Sequence, residues 1–145
     1  MSLRPRRWFP LAVAFIALIF FVDQVLISRA APTQQVWINE FMPRPNTGGK
    51  EWVELFNPNP IAVDLTGWKI DDDTIGGTQT TIKPATLIPG NSFLVITMTA
   101  NIFNNTGTDA VQFLAPDNTV VDNTGIYTNT TAGLSYARVP DGSAT

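Results

Sequence analysis

The stretch Glu51 to Ile70, EWVELFNPNPIAVDLTGWKI, leaves little choice in what this chain can fold into. Val53 and Leu55 alternate with Trp52 and Glu54, so a strand here has one aliphatic face and one face with a carboxylate beside an indole. Asn57-Pro58-Asn59-Pro60 ends that strand, because two prolines remove two backbone donors and asparagine favours turns. A second strand starts at Ile61, with Ile61, Val63 and Leu65 on one face. Asp64-Leu65-Thr66-Gly67 then bends the chain ahead of Trp68 and Ile70. A hairpin this apolar is marginal alone in water. It needs a second sheet across its aliphatic face.

The rest of the chain offers the strands for one. Val36 and Ile38 alternate with Trp37 and Asn39 before Phe41-Met42-Pro43, and a polar loop with Gly48-Gly49 follows. Beyond the hairpin, Asp71 to Gln79 reads as a loop and Thr80 to Ile82 as a short strand. Ser92 to Thr99 is the most β-prone run of all. Ala100 to Thr108 is an Asn/Thr loop with room for one helical turn. Asp109 to Leu114 and Thr119 to Val121 form a hairpin across Ala115-Pro116-Asp117-Asn118, Asn123 to Gly133 is loop-like, and Leu134 to Val139 is the last strand. About eight short strands punctuated by Gly, Pro and Asn, with no amphipathic helix beyond residue 30, predict an antiparallel sandwich.

The ordered motifs carry a resemblance. Ile38-Asn39-Glu40, Glu51-Trp52-Val53-Glu54-Leu55 with Asn57, and Asp64-Leu65-Thr66-Gly67-Trp68 come first. Ile88-Pro89-Gly90, Phe93-Leu94-Val95-Ile96 and Asp117-Asn118-Thr119-Val120-Val121-Asp122 follow, then Ser135-Tyr136-Ala137-Arg138 and Pro140-Asp141-Gly142. Over roughly residues 36 to 142 this set resembles the lamin tail domain family. The resemblance implies an immunoglobulin-like β-sandwich and an interaction role rather than chemistry. The expected fold class is therefore all-β, an immunoglobulin-like antiparallel β-sandwich over residues 36–145, preceded by a helical N-terminal signal segment and a linker at 31–35. No sustained heptads are present, so the filament-forming rod of the animal lamins does not carry over. Other members often continue past the point reached by Thr145, which raises the expectation of a fragment or a lost edge segment.

The N-terminus reads as an export signal. Arg4, Arg6 and Arg7 precede the apolar run Leu11 to Val22, and Ser28-Arg29-Ala30 places small residues at the third and first positions before a cut after Ala30. The rival reading, an uncleaved anchor, needs about 20 apolar residues, and Asp23 and Gln24 interrupt this run first. Cleavage would remove four of the nine bases but only one of the twelve acids. Beyond residue 30 the chain has eleven acids against five bases, a net charge of −6. An acidic domain is a poor binder of phosphate backbones, so no nucleic-acid partner is expected. The chain also has no Cys and no His, which closes thiol nucleophiles, thiolate metal sites and the commonest general base.

Four groups of residues remain as candidates. Asp71, Asp72 and Asp73 offer carboxylates to Ca²⁺, but consecutive acids on an extended chain point in alternating directions, and the spacing is not that of an EF-hand. Glu40 and Glu54 lie on neighbouring strands in the family topology, where an acid–base pair is conceivable; the competing expectation pairs Glu54 with Lys69 or Arg138. Trp37 and Trp52, with Glu40 and Glu54, form a candidate binding surface of half-exposed indoles. Trp68 reads as a core anchor. The chain is thus expected to be a secreted or cell-surface, non-catalytic binding or attachment module. It needs no cofactor, touches membrane only through an uncleaved N-terminus, stands as a monomer, and takes an unknown protein or cell-surface ligand. The alternatives are an accessory domain of an extracellular hydrolase and a calcium-stabilised adhesion module.

Overall fold

The computed structural model describes residues 35–128 and 131–144; the leader and most of the linker lie outside them. Among the described residues twelve strands follow one another: β1 (Trp37–Met42), β2 (Trp52–Asn57), β3 (Val63–Asp64), β4 (Lys69–Asp71), β5 (Thr80–Thr81), β6 (Leu87–Ile88), β7 (Ser92–Thr97), β8 (Thr108–Asp109), β9 (Gln112–Leu114), β10 (Val120–Asn123), β11 (Tyr127–Thr128) and β12 (Tyr136–Ala137). One four-stranded sheet runs β12-β1-β2-β7 and a second runs β10-β9-β4-β5, with the short pairs β3–β6 and β11–β8 beside them. Every pairing is antiparallel. The described residues form an all-β, immunoglobulin-like sandwich, as expected of residues 36–145.

Alternation sets the inner faces. Val53 and Leu55 of β2 are fully buried, Ile38 and Phe41 of β1 join them, and Ile70 and Phe113 face them from the second sheet. The spacing from Ile38 to Phe41 breaks the period of two. A register shift between Ile38 and Glu40 explains it: Asn39 is the extra residue, and past it the pairing resumes with Glu40 opposite Glu54. Without that bulge Phe41 would point to solvent.

Several expectations change. Ile61 is 56% exposed while Val63 and Leu65 are buried, so the second strand of the hairpin starts at Val63. The buried Asn57 side chain is the cause. Its amide donates to the carbonyl oxygens of Ile61, Ile88 and Pro89, and its Oδ1 accepts from the backbone and side chain of Asn59. The 58–61 loop is thereby tied down as a loop. No helical turn forms among residues 100–108; the N–H groups of Ile102 and Phe103 instead donate to Glu51 Oε2, at 2.7 and 3.2 Å. The stretch 123–133 is not wholly loop, since Tyr127 and Thr128 pair with Asp109 and Thr108. Trp68 is only partly buried. It stacks on Phe113, ring centroids 4.8 Å apart, and Phe113 is the fully buried ring.

Gly90 has no alternative. A Cβ there would sit 2.4 Å from the carbonyl carbon of Pro60, so the turn from β6 into β7 packs directly on the Asn57–Pro60 loop. At the C-terminal end, Gly142 (φ +73°) lies against the ring of Phe56, so close that a Cβ would stand 3.3 Å from it, and the Gly142 N–H donates to Asn39 Oδ1. The last residues thus fold back across the outside of the first sheet.

Candidate functional site

The first sheet has two faces, and the outer one gathers four of the sequence candidates. Strand pairing sets Trp37 opposite Phe56 and Phe56 opposite Phe93. Their rings form a row across β1, β2 and β7, with centroids 5.7 and 4.6 Å apart. The next row is Glu40, Glu54 and Val95, and the third is Met42, Trp52 and Thr97. Trp37, Glu40, Trp52 and Glu54 are all half-buried. Two carboxylates therefore lie side by side between an aromatic row and a second indole.

Glu54 does not meet Lys69 or Arg138. Its Oε1 accepts from Asn39 Nδ2 at 2.8 Å, and the same amide donates to Asp141 at 2.6 Å. Lys69 donates to Asn118 and to the Pro116 carbonyl oxygen. Arg138 pairs with Asp122 at 2.9 Å, which in turn accepts the Ile38 N–H. The reason is topological: Lys69 belongs to the other sheet, and Arg138 follows β12 at the edge, where it covers the open side of β1.

The aspartate loop is organised around backbone. Asp71 is fully buried and accepts from the N–H groups of Asp72 and Gly76, both at 3.0 Å. Asp72 accepts from Thr74 N–H and Asp73 from the Thr74 hydroxyl. Burial raises the Asp72 carboxyl above its ordinary range, with the charges of Asp109, Asp71 and Asp73 adding to it. Asp109, also fully buried, accepts from the N–H groups of Asn104 and Ala110 at 2.7 Å. Among the described residues no three Asp, Glu, His or Cys side chains group as a metal site.

Glu51, Asn57 and Asp109 are the residues that sequence reading missed. Each is a polar side chain with partners reached through the fold, and no local pattern marks such a role. Glu51 has a testable consequence. Burial raises its carboxyl pKa above the usual 4.5; the Ile102 and Phe103 amides oppose this and Asp109 adds to it. The folded state therefore holds the Glu51 proton more tightly than the unfolded chain. The stability so gained is complete below about pH 4.5 and is lost as pH rises through the higher folded value. Glu51→Gln keeps an acceptor for both amides. It should match the wild type in acid and exceed it at neutral pH, as read from paired thermal melts across pH. A neutral-pH loss would show that the charge itself holds the loop.

Two concavities mark the surface of the described residues. A cleft of about 500 Å³ opens between β12 and the β10–β11 segment, lined by Phe41, Tyr127, Tyr136, Arg138 and Asn123 among others. Phe41 and Tyr136 stack at 5.2 Å in its wall, and the Tyr136 hydroxyl donates to the Thr128 carbonyl oxygen. A groove of about 320 Å³ lies on the other side, between β7 and β5. Neither is lined by Glu40, Glu54 or the Asp71–Asp73 loop. The two glutamates are neighbours on a sheet face that the Asp141–Gly142 segment partly covers, not partners across a cleft.

No curated protein matches the chain. The model of the Lamin Tail Domain family matches residues 29–128, and residues 131–144, beyond that match, still belong to the same body because β12 completes the first sheet. With the match covering well over half of its length and the sandwich formed in the order its motifs announce, the chain belongs to the lamin tail domain family, a family of non-enzymatic immunoglobulin-like domains.

Proposed function

We propose that this protein is an exported, non-catalytic binding and attachment module whose contact surface is the outer face of the β12-β1-β2-β7 sheet. The observation that carries the reading is the convergence of Trp37, Glu40, Trp52 and Glu54 on that one face. By contrast, the buried carboxylates of Glu51, Asp71 and Asp109 are all occupied by backbone N–H groups. Paired carboxylates beside a half-exposed indole suit a partner that presents a cation on an apolar stem, such as a Lys or Arg side chain of a cell-surface protein. Export rests on the basic, apolar and small-residue pattern of residues 1–30.

The test is retention on the outer cell surface. Glu40→Lys and Trp52→Ala each alter the face without touching the fully buried core. Each should weaken binding to isolated envelope material at least about tenfold, a loss near 1.4 kcal/mol, while the far-UV spectrum stays that of the wild type. Unchanged retention of both variants sinks the assignment of this face. Retention of the intact N-terminus on membrane-bound protein would mean that the leader, not the domain, does the attaching.

A further inference from the structure

We infer that the β7 edge is a self-association surface, through which two copies of this chain join their first sheets into one continuous antiparallel sheet. This goes beyond the ligand-binding reading and does not depend on it. The starting observation is how differently the four sheet edges end. β12 and β5 are two residues long, and Lys83-Pro84 follows soon after β5. β10 carries a register shift between Val120 and Asp122, and Asp122 is held by Arg138. Short strands, bulges, prolines and charges are the ordinary means of blunting an edge. β7 has none of them. It is six residues long, Ser-Phe-Leu-Val-Ile-Thr, pairs with β2 without a register shift, and contains no charge and no proline.

The backbone of β7 is also aimed correctly. Met98 N–H donates to the Glu51 carbonyl oxygen, one step beyond the Trp52–Thr97 pair. Alternation along an antiparallel ladder then turns the N–H and C=O groups of Phe93, Val95 and Thr97 to the open side. The side chains repeat the message. Phe93 and Val95 are 41% and 51% exposed on the outer face, and the inward Leu94 and Ile96 are only half-buried because the groove beside β5 leaves them uncovered.

The occupant that fits is a second copy. With Val95 on the twofold axis opposite Val95 of the second copy, Phe93 meets Thr97 and Leu94 meets Ile96. Outward residues face outward ones, inward face inward, and the three open-side residues of each strand exchange their hydrogen bonds. Charge favours the same choice. The domain beyond residue 30 carries −6, so two copies approach best where the seam is uncharged. Glu54, the partner of Val95 on β2, stands three strand spacings from Glu54 of the second copy, about 14 Å, beyond the ~8 Å screening length, and the one charged side chain that lines the groove beside β7 is the base Lys83.

The chain has no cysteine, so single cysteines report the register directly. In the full 145-residue chain, Val95→Cys should form a disulfide-linked dimer under mild oxidation, since directly opposed residues in such a pair lie about 5.5 Å apart at Cα, within disulfide range. Phe93→Cys and Thr97→Cys should each form no disulfide-linked dimer alone and cross-link only when mixed. Val95→Lys should weaken dimerisation at least about tenfold in sedimentation, because it sets two like charges opposite each other on the axis. Failure of Val95→Cys to cross-link overturns the inference, as it would if β7 accepts a foreign strand or none. Equal cross-linking at all three positions overturns it too, because that pattern is unspecific aggregation.

Discussion

Phe113→Ala is expected to cost about 3–5 kcal/mol of unfolding free energy, the range for truncating a fully buried aromatic. Phe113 has no exposed surface, lies on β9 in the middle of the second sheet, and carries the Trp68 ring on one side. Its removal opens a void between the layers that rigid strands cannot close. For a domain whose whole stability is about 5–15 kcal/mol, that is a large fraction. Trp68→Ala should cost clearly less, because part of its ring is already in water. Chemical denaturation of both variants decides it: a larger midpoint loss for Trp68 would return the anchor to the indole.

The second large effect is expected at Asn57. Asn57→Ala deletes the amide that binds the carbonyl oxygens of Ile61, Ile88 and Pro89 and the oxygen that binds Asn59. The Ile88 carbonyl is buried with it. Water can replace the partly buried partners, so the loss rests on the buried Ile88 bond, about 1 kcal/mol, plus about 1–3 kcal/mol for that carbonyl left unpaired, about 2–4 kcal/mol in all. Asn57→Asp is the sharper control. It keeps the acceptor for Asn59 but turns a negative oxygen on three carbonyls, so it should cost at least as much as alanine. A thermal melt in which the aspartate variant recovers wild-type stability would show that Asn59, not the carbonyl cluster, is what the side chain serves.

These two residues also mark where local pattern reading works and where it stops. The alternation of Val53 and Leu55 against Trp52 and Glu54 is a local property, and those faces are what the structure has. Trp52 and Glu54 could be placed on one face for the same reason, but Trp37 and Glu40 are three residues apart and share that face only through the bulge at Asn39. Glu51, Asn57 and Asp109 could not be read in this way. Their partners are backbone groups of loops and turns that only the fold brings to them, and a polar residue in a strand looks the same whether it faces water or a buried carbonyl. The Asn39 bulge was equally hidden: it changes which side Phe41 faces, and only the partner strand reveals the extra residue.

The chain's own order of residues determined the class of the fold, the identity of its family and the chemistry it lacks. Period-two alternation, proline and glycine punctuation and the absence of His and Cys are properties that no tertiary contact can alter. Tertiary structure decided everything that depends on distance. It decided that Arg138 pairs with Asp122 rather than Glu54, that the aspartates turn to their own loop's amides, and that Phe113 rather than Trp68 fills the centre. It also decided which strand is left at an unguarded edge. Every strand exposes two sides of backbone, and only the assembled sheet shows that β7 has one of them still unpaired.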